Sequence, residues 1–340
     1  MKTPDGDRDS PYLKKRGQSL FLSELSAPSF VAWQVTRDCN LACLHCCTDS
    51  APGRPFPNEL TRQESLSIAD QIVKSQVPYV LLAGGEPLIV PHFFEIARVL
   101  GEGGVYLKIE SNGQIFGEKE AEKLSRLPIR SLQISIDGAT QAVYSKMRPG
   151  ASLEKALFAC RAARKFNLPL EITFAPTKIN ISEAAAVIDL AASLGAFRLN
   201  TGHLMRLGTA AKLWGKLNLS SAEYEKFYNL LEMKEKEFSG KMEILFRPFS
   251  IQEDLLAKKI ASPSTILILP DGRVRVSGFL PYTCADLRKE TLIQAWERCQ
   301  KAYQNPKISS GFEEIIKDDS VLAAANQLRP LETSDLPAMV

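Results

Sequence analysis

Cys39-Asn40-Leu41-Ala42-Cys43-Leu44-His45-Cys46 puts three thiols on one short stretch with the spacing C-x3-C-x2-C. Seven cysteines in 340 residues make chance a poor explanation, since roughly 0.003 such triplets are expected at that density. The stretch follows Phe30–Thr36, a short apolar run of β-forming residues, so the thiols sit on a loop that leaves a strand. Three thiolates on one loop can hold three irons of a [4Fe–4S] cluster, and the fourth iron then stays open to a small chelator. Zinc on three thiolates plus His45 is the rival reading. It is disfavoured because His45 directly precedes Cys46, and adjacent residues seldom converge on one small ion. Cys47, next to Cys46, is read as structural for the same reason.

Downstream of the thiols the chain keeps a beat of short apolar run, turn and helix-period stretch. Tyr79–Ala83, Val105–Glu110, Leu132–Ile136, Leu170–Phe174 and Phe197–Thr201 read as further strands. Helices are expected over Thr61–Ser75, with a Thr61/Glu64 capping box, and over Phe93–Leu100, Glu118–Arg126, Ser152–Phe166, Ser182–Leu194 and Ser221–Glu235. Six strand–helix units predict an α/β fold with a parallel sheet, better suited to a partial (β/α)6 barrel than to a doubly wound sheet, which stays open. In either fold, ligands gather at the C-terminal ends of the strands.

The beat changes near residue 240. Met242–Phe246 is one strand candidate, and Thr265–Leu269 and Arg273–Ser277 flank the turn Pro270-Asp271-Gly272. With a helix over Leu292–Tyr303, this predicts a small α+β appendage. The expected division is an N-terminal extension over 1–28, a barrel over 29–236 and a C-terminal domain with its tail over 237–340. Lys14, Lys15 and Arg16 lie in the extension, where Ser19–Leu22 is a candidate edge strand.

Composition narrows the function. Apolar residues make up 45% and charged residues 24%, which excludes a disordered chain. A net charge of +3 is too small to point to nucleic acid. No apolar run is long enough for a membrane helix, and the first ten residues lack the apolar core of a signal peptide. A cytoplasmic location is expected, where an odd number of cysteines reads as ligands, catalytic thiols or core residues.

Cys39, Cys43 and Cys46 after the first strand, with Gly84-Gly85-Glu86-Pro87 after the second, resemble the signature of the radical S-adenosylmethionine (SAM) superfamily. That resemblance implies one [4Fe–4S] cluster on the three cysteines, with SAM chelating the open iron. The reduced cluster cleaves SAM, and the 5′-deoxyadenosyl radical abstracts hydrogen from substrate. By resemblance, Gly84, Gly85 and Glu86 receive the SAM amino group. Ser111-Asn112 after the third strand and Ser135 and Asp137 at the end of the fourth match family positions, and Arg148 matches an arginine for the SAM carboxylate. His45 stands where the family prefers a ring near the adenine, and Leu204 and Arg206 near contacts to it. His203 is either a substrate-side acid or base, or a loop residue.

The segment from Ile268 to Trp296 looks like a SPASM or twitch extension, found in maturases of ribosomally made peptides and in cofactor synthesis. It departs from that pattern in cysteine count: only Cys160, Cys284 and Cys299 remain, too few for an auxiliary cluster. The expectation is an appendage without a cluster and a redox-neutral outcome, with Cys284 read either as a buried apolar core residue or as a loop thiol at the barrel mouth that serves as hydrogen donor. The resemblance implies a peptide substrate for epimerisation or cross-linking, or alternatively a small metabolite or cofactor precursor. Implied partners are an electron donor such as flavodoxin or ferredoxin and a separate leader-binding protein, because 28 residues are too few for a leader-recognition domain. The competing class is a non-catalytic Fe–S or zinc protein. Such a protein has no need of Gly84–Glu86, Ser135 and Arg148 in order.

Overall fold

The structure, a computed structural model, describes residues 25–258 and 264–331. The Lys14–Arg16 patch and the Ser19–Leu22 strand candidate lie outside the described residues. Seven parallel strands carry the barrel: β1 (Phe30–Gln34), β2 (Tyr79–Ala83), β3 (Tyr106–Ser111), β4 (Ile129–Ser135), β5 (Leu170–Thr173), β6 (Arg198–Asn200) and β7 (Glu243–Leu245), neighbours in that order. On the other side of β1 the same sheet continues through β8 (Thr265–Ile268), β9 (Arg273–Arg275), β10 (Tyr282–Asp286) and β11 (Arg329–Pro330). The fold is therefore α/β with a parallel partial barrel and a mixed appendage, as the strand–helix beat predicts.

Helices α1 (Arg62–Lys74), α2 (Phe93–Glu102), α3 (Glu118–Leu124), α4 (Gln141–Met147), α5 (Leu153–Lys165), α6 (Ala184–Ser193), α7 (Gly208–Lys212), α8 (Trp214–Leu217), α9 (Ser221–Glu237) and α10 (Ile251–Lys258) accompany the barrel strands. The appendage adds α11 (Leu292–Tyr303) and α12 (Pro306–Lys317). Local chemistry sets the starts. Thr61 and Glu64 close the expected capping box on α1, Ser220 and Glu223 do so on α9, and Ser152 caps α5.

Strand alternation sorts the two faces of the sheet. Trp33, Leu82, Ile109, Ile134 and Ile172 are buried in one core with Ile72 of α1, Leu100 of α2 and Ala159 of α5. Their neighbours on the strands face the concave side, and on β3 to β6 these include a polar set. There Lys108 of β3 reaches across to Glu171 of β5 (2.9 Å), and Asn200 of β6 bonds Glu171 (2.7 Å) and Gln133 of β4 (3.1 Å). Contacts that skip over a strand require a curved sheet, so this polar set lies inside the barrel.

Two elements differ from the sequence reading. β7, expected in the appendage, lies parallel to β6 with Leu199 opposite Ile244, because α9 carries the chain back across the sheet as a crossover helix does. The sheet thus runs unbroken past residue 237. α4 was not expected: seven residues, Gln141–Met147, are too short to show a helical period, and Thr140 starts the helix by accepting from Val143 N. Its C-cap is Arg148, so this short helix delivers the guanidinium described below.

Appendage and barrel are bound by many polar contacts. Arg288 donates to Glu64 Oε1 (2.7 Å), Asp271 O (2.8 Å) and Asn58 O (2.9 Å), tying the β8–β9 turn to the start of α1. Leu60 N donates to Pro270 O (2.8 Å), and Leu292 N to Gln71 Oε1 (2.9 Å).

Candidate active site

The loop after β1 runs over the C-terminal mouth of the barrel, and the ends of β2, β3 and β4 hold it from below. Gly85 N donates to Thr36 O (2.8 Å) and Glu86 N to Asp38 O (3.0 Å), so the exits of β1 and β2 run backbone against backbone. A Cβ on Gly85 would lie 2.0 Å from Asp38 O. The sequence reading gave the glycines to a ligand. What Gly84 and Gly85 admit here is the backbone leading into Cys39.

Glu86 turns inward with no solvent exposure. Its carboxylate accepts from Ser111 Oγ (2.9 Å), Asn112 N (2.8 Å) and Leu88 N (3.2 Å), joining the ends of β2 and β3. Burial pushes the carboxyl up to about 7, against the pull of those donors. Asn112 continues upward, with Nδ2 on Asn40 Oδ1 (2.7 Å) and 3.7 Å from Cys39 Sγ. Glu86→Ala is expected to leave three buried donors without an acceptor and to cost at least about 3 kcal/mol in urea unfolding.

Asp137, at the exit of β4, is fully buried. Its Oδ2 lies 2.6 Å from Arg148 Nε and 3.2 Å from His45 Nε2, and its Oδ1 accepts from Ala175 N (2.9 Å). Burial alone would raise its pKa, but the Arg148 charge and the His45 contact hold it well below the usual carboxylate range. Arg148 NH1 donates to Cys43 Sγ (3.4 Å), and its NH2 is 3.4 Å from His45 Nε2. Among the described residues, Nε and one NH1 proton of Arg148 have acceptors and NH2 lies against His45, so at least two of its five N–H groups are without an acceptor. His45, placed by sequence near an adenine, is held by this pair, and its Nδ1 is buried without a partner among the described residues. Ser135 lies beside Thr173 at the same rim.

The donor set suits an iron–sulfur cluster. Each sulfur has N–H or O–H groups near it: Leu41 N and Asn112 Nδ2 at Cys39, Arg148 at Cys43, and Ser50 N (3.3 Å) and Thr48 Oγ1 (3.3 Å) at Cys46. Burial pushes the Cys39 thiol up to about 12 and also raises Cys43, so ligation must displace protons to hold these groups as thiolates. Among the described residues, no three of His, Cys, Asp and Glu close on one ion. A cluster places each thiolate on a different iron and does not need that convergence.

The outer side of the loop was not foreseen. Gly208 has φ +54°, and a Cβ there would lie 2.7 Å from both Cys46 O and Cys47 O. Thr209 N donates to Cys46 O (2.8 Å), Lys212 pairs with Asp49 (2.5 Å), and Asn326 Nδ2 donates to Cys47 O (2.8 Å). Gly208 stands two residues after Arg206, a residue singled out in the sequence, but nothing local signals Asn326, which lies 279 residues from Cys47.

His203 is a loop residue, one of its two readings, and stands outside this constellation: its ring stacks on Tyr224 at 3.7 Å and meets Phe249 edge-on, beside a cavity of about 680 Å3. Three placements correct the sequence reading. Leu204 N already donates to Tyr224 Oη (3.1 Å), so that amide is not free for an adenine. Arg206 turns to the Trp214 ring (5.4 Å) and Asp319 (3.8 Å). Cys284 is not a loop thiol: it lies within β10, buried, its Sγ 3.7 Å from Val274 O and hydrogen-bonded with the free thiol of Cys299 of α11. Its burial in the appendage core, where the pairing shifts register between Thr283 and Ala285, removes the basis for a hydrogen-donor role.

With this geometry in hand, residues 33–191 match the family model for the radical SAM superfamily. This stretch of the chain is a radical SAM domain. Members of that superfamily use a [4Fe–4S] cluster and SAM. Two curated relatives match differently. An AdoMet-dependent heme synthase of Methanosarcina barkeri (strain Fusaro) is 27% identical over 297 residues, covering 81% of this chain and 84% of the relative. Mycofactocin maturase MftC of Mycobacterium ulcerans (strain Agy99) is 32% identical over 212 residues, but the match spans only 62% of this chain and 56% of the relative. Among solved structures, Streptococcus suis SuiB bound to precursor peptide SuiA superposes with TM-score 0.67 at 14% identity, covering 88% of this chain and 68% of that one. At that identity the likeness concerns the fold. No described helix is long and apolar enough to cross a membrane.

Reconstituted without oxygen, the protein is expected to hold about four irons per chain with broad visible absorbance, and Cys39, Cys43 and Cys46 changed together to Ala should abolish both. Arg148→Ala strands a buried carboxylate and is expected to cost about 3–5 kcal/mol, with Asp137→Asn in the same chain recovering more than half of that. Because the folded-state pKa of Asp137 is depressed, the stability it contributes is present above its unfolded value, about 3.9, and fades as pH falls below it. Urea midpoints of wild type and Asp137→Asn from pH 7 down to 3 check this, the gap between them closing at the acid end.

Proposed function

We propose that this radical SAM enzyme abstracts a hydrogen atom from a peptide substrate presented at the mouth of the barrel. The carrying observation is one buried group, Arg148, that touches Cys43, Asp137 and His45 together and still has two N–H groups to give. When bound, the cluster and SAM supply one-electron cleavage of the SAM sulfonium bond and the hydrogen abstraction that follows. Within this reading Cys39, Cys43 and Cys46 bind the irons, and Arg148, Asn112 and Ser50 N orient and polarise the sulfurs. The two spare N–H groups of Arg148 take the SAM carboxylate. The rim at Ser111, Asn112 and Ser135 surrounds the rest of SAM and keeps water from the sulfurs, while Gly84–Glu86 and Asp137 hold the loop in place beneath it. An electron carrier such as flavodoxin or ferredoxin, and a separate leader-binding protein, complete the system.

Support for a peptide comes from the mycofactocin maturase match and from the fold shared with SuiB, solved with its precursor peptide. One observation favours a second reading, a carboxylate-bearing tetrapyrrole. The heme synthase match runs through the appendage, whereas the maturase match covers 62% of the chain.

Reduced enzyme holding four irons is expected to release 5′-deoxyadenosine slowly from SAM alone. Short peptides encoded beside the gene should raise that rate tenfold or more; stimulation by an iron coproporphyrin instead would establish the second reading. No SAM cleavage by the loaded, reduced protein would overturn both. Arg148→Lys, which keeps the charge but loses the planar fork, should weaken SAM binding about tenfold, near 1.4 kcal/mol.

A further inference from the structure

The appendage places a guanidinium of its own behind the thiolate loop. Arg275 of β9 is buried, and none of its described partners is a carboxylate. Its Nε donates to Leu280 O (2.9 Å), its NH2 to Ala325 O (2.7 Å) and its NH1 to Asn326 Oδ1 (3.4 Å). Asn326 passes the contact on, with Nδ2 bonding Cys47 O (2.8 Å) and Asp49 Oδ2 (3.0 Å). Asp49, the carboxylate on this path, is already paired with Lys212 (2.5 Å). Among the described residues the positive charge of Arg275 is thus left without a paired counter-ion, two hydrogen bonds from the residue after Cys46.

Such a charge is costly to bury. Neutral carbonyls and an amide satisfy its N–H groups but do not cancel its field, and in a low-dielectric surrounding that field reaches several Å with little screening. A cluster on three thiolates gains one negative charge when one electron enters, with no bond made or broken. A fixed cation nearby favours that reduced form, and charge and hydrogen bonding around the sulfurs are the protein's means of setting the potential.

We propose that Arg275, held by Asn326 against the outer side of the Cys46–Asp49 segment, is a positioning residue whose charge raises the reduction potential of the barrel cluster. Burial lowers its pKa only to about 10, so the charge is present at neutral pH. The appendage, with just Cys284 and Cys299 as thiols, then acts on the cluster electrostatically. The inference rests on the three-thiolate cluster reading, and iron content measured on the same samples separates a failure of that reading from a failure of this one.

The test is an EPR-monitored redox titration of anaerobically reconstituted full-length protein with mediators. At the wild-type midpoint, Arg275→Gln with four irons bound should show a reduced-to-oxidised ratio about tenfold lower, 59 mV for one electron. Arg275→Lys, which restores the charge, should return the ratio to within threefold of wild type. Asn326→Ala, which keeps the charge but releases its anchor, should fall between wild type and Arg275→Gln. An unchanged ratio in iron-replete Arg275→Gln overturns the proposal. If that variant does not hold four irons, an unchanged ratio and EPR spectrum in iron-replete Asn326→Ala overturns it instead.

Discussion

A buried ion pair, Arg148 with Asp137, is the constraint on which the site depends. Taking both charges out of water is expensive, and apolar residues of the same volume would often serve stability as well or better. The pair is retained where a hydrocarbon could not do its work. Asp137 fixes the guanidinium through Nε (2.6 Å), leaving NH1 for Cys43 and NH2 beside His45. The β4 exit, the α4 C-cap and the thiolate loop thereby share one geometry. Leu44 N on Met147 O (3.0 Å) adds a backbone tie between the same two segments.

Glu86 solves a related problem in a different way. No described cation touches its carboxylate; two backbone amides and a hydroxyl donate to it. An acceptor-only group that takes three donors from two strand ends is a rigid joint. Joint and ion pair sit under different cysteines: Glu86 acts through Asn112 on the Cys39 side, and Asp137 through Arg148 on the Cys43 side. Cys39 and Cys43 thus inherit their positions from different strand ends, whereas Cys46 is held by its own loop through Thr48 and Ser50.

The parts legible in the sequence were those with local causes. Strands with buried faces and helices with side-chain caps announce themselves within a few residues, as Thr61/Glu64 and Ser152 show. The order of motifs at strand ends was equally readable, because a parallel barrel brings all C-terminal ends to one rim. Illegible were contacts created by distant return of the chain, such as Asn326 on Cys47, and the facing of strand residues whose flanks carry weak alternation. Cys284 shows the second failure: the reading as a loop missed β10, where three residues in a row are buried and the pairing shifts register between Thr283 and Ala285. For His203 the hidden part is its packing, since nothing near it in sequence signals the stack on Tyr224.

The continuity of the sheet changes what the appendage can be. β8 pairs with β1 along Phe30–Trp33, so the appendage strands are laid directly against the strand that launches the cysteines. A hinge between appendage and barrel would have to break that ladder, the Arg288 contacts and the Leu60–Pro270 bond together. The appendage is therefore a fixed wall of the mouth, not a mobile lid. Its residues can be assigned roles by the same static geometry that serves the barrel. Access to the polar concave face must then come from the rim itself, where strand ends and loops, not domain motion, decide what enters.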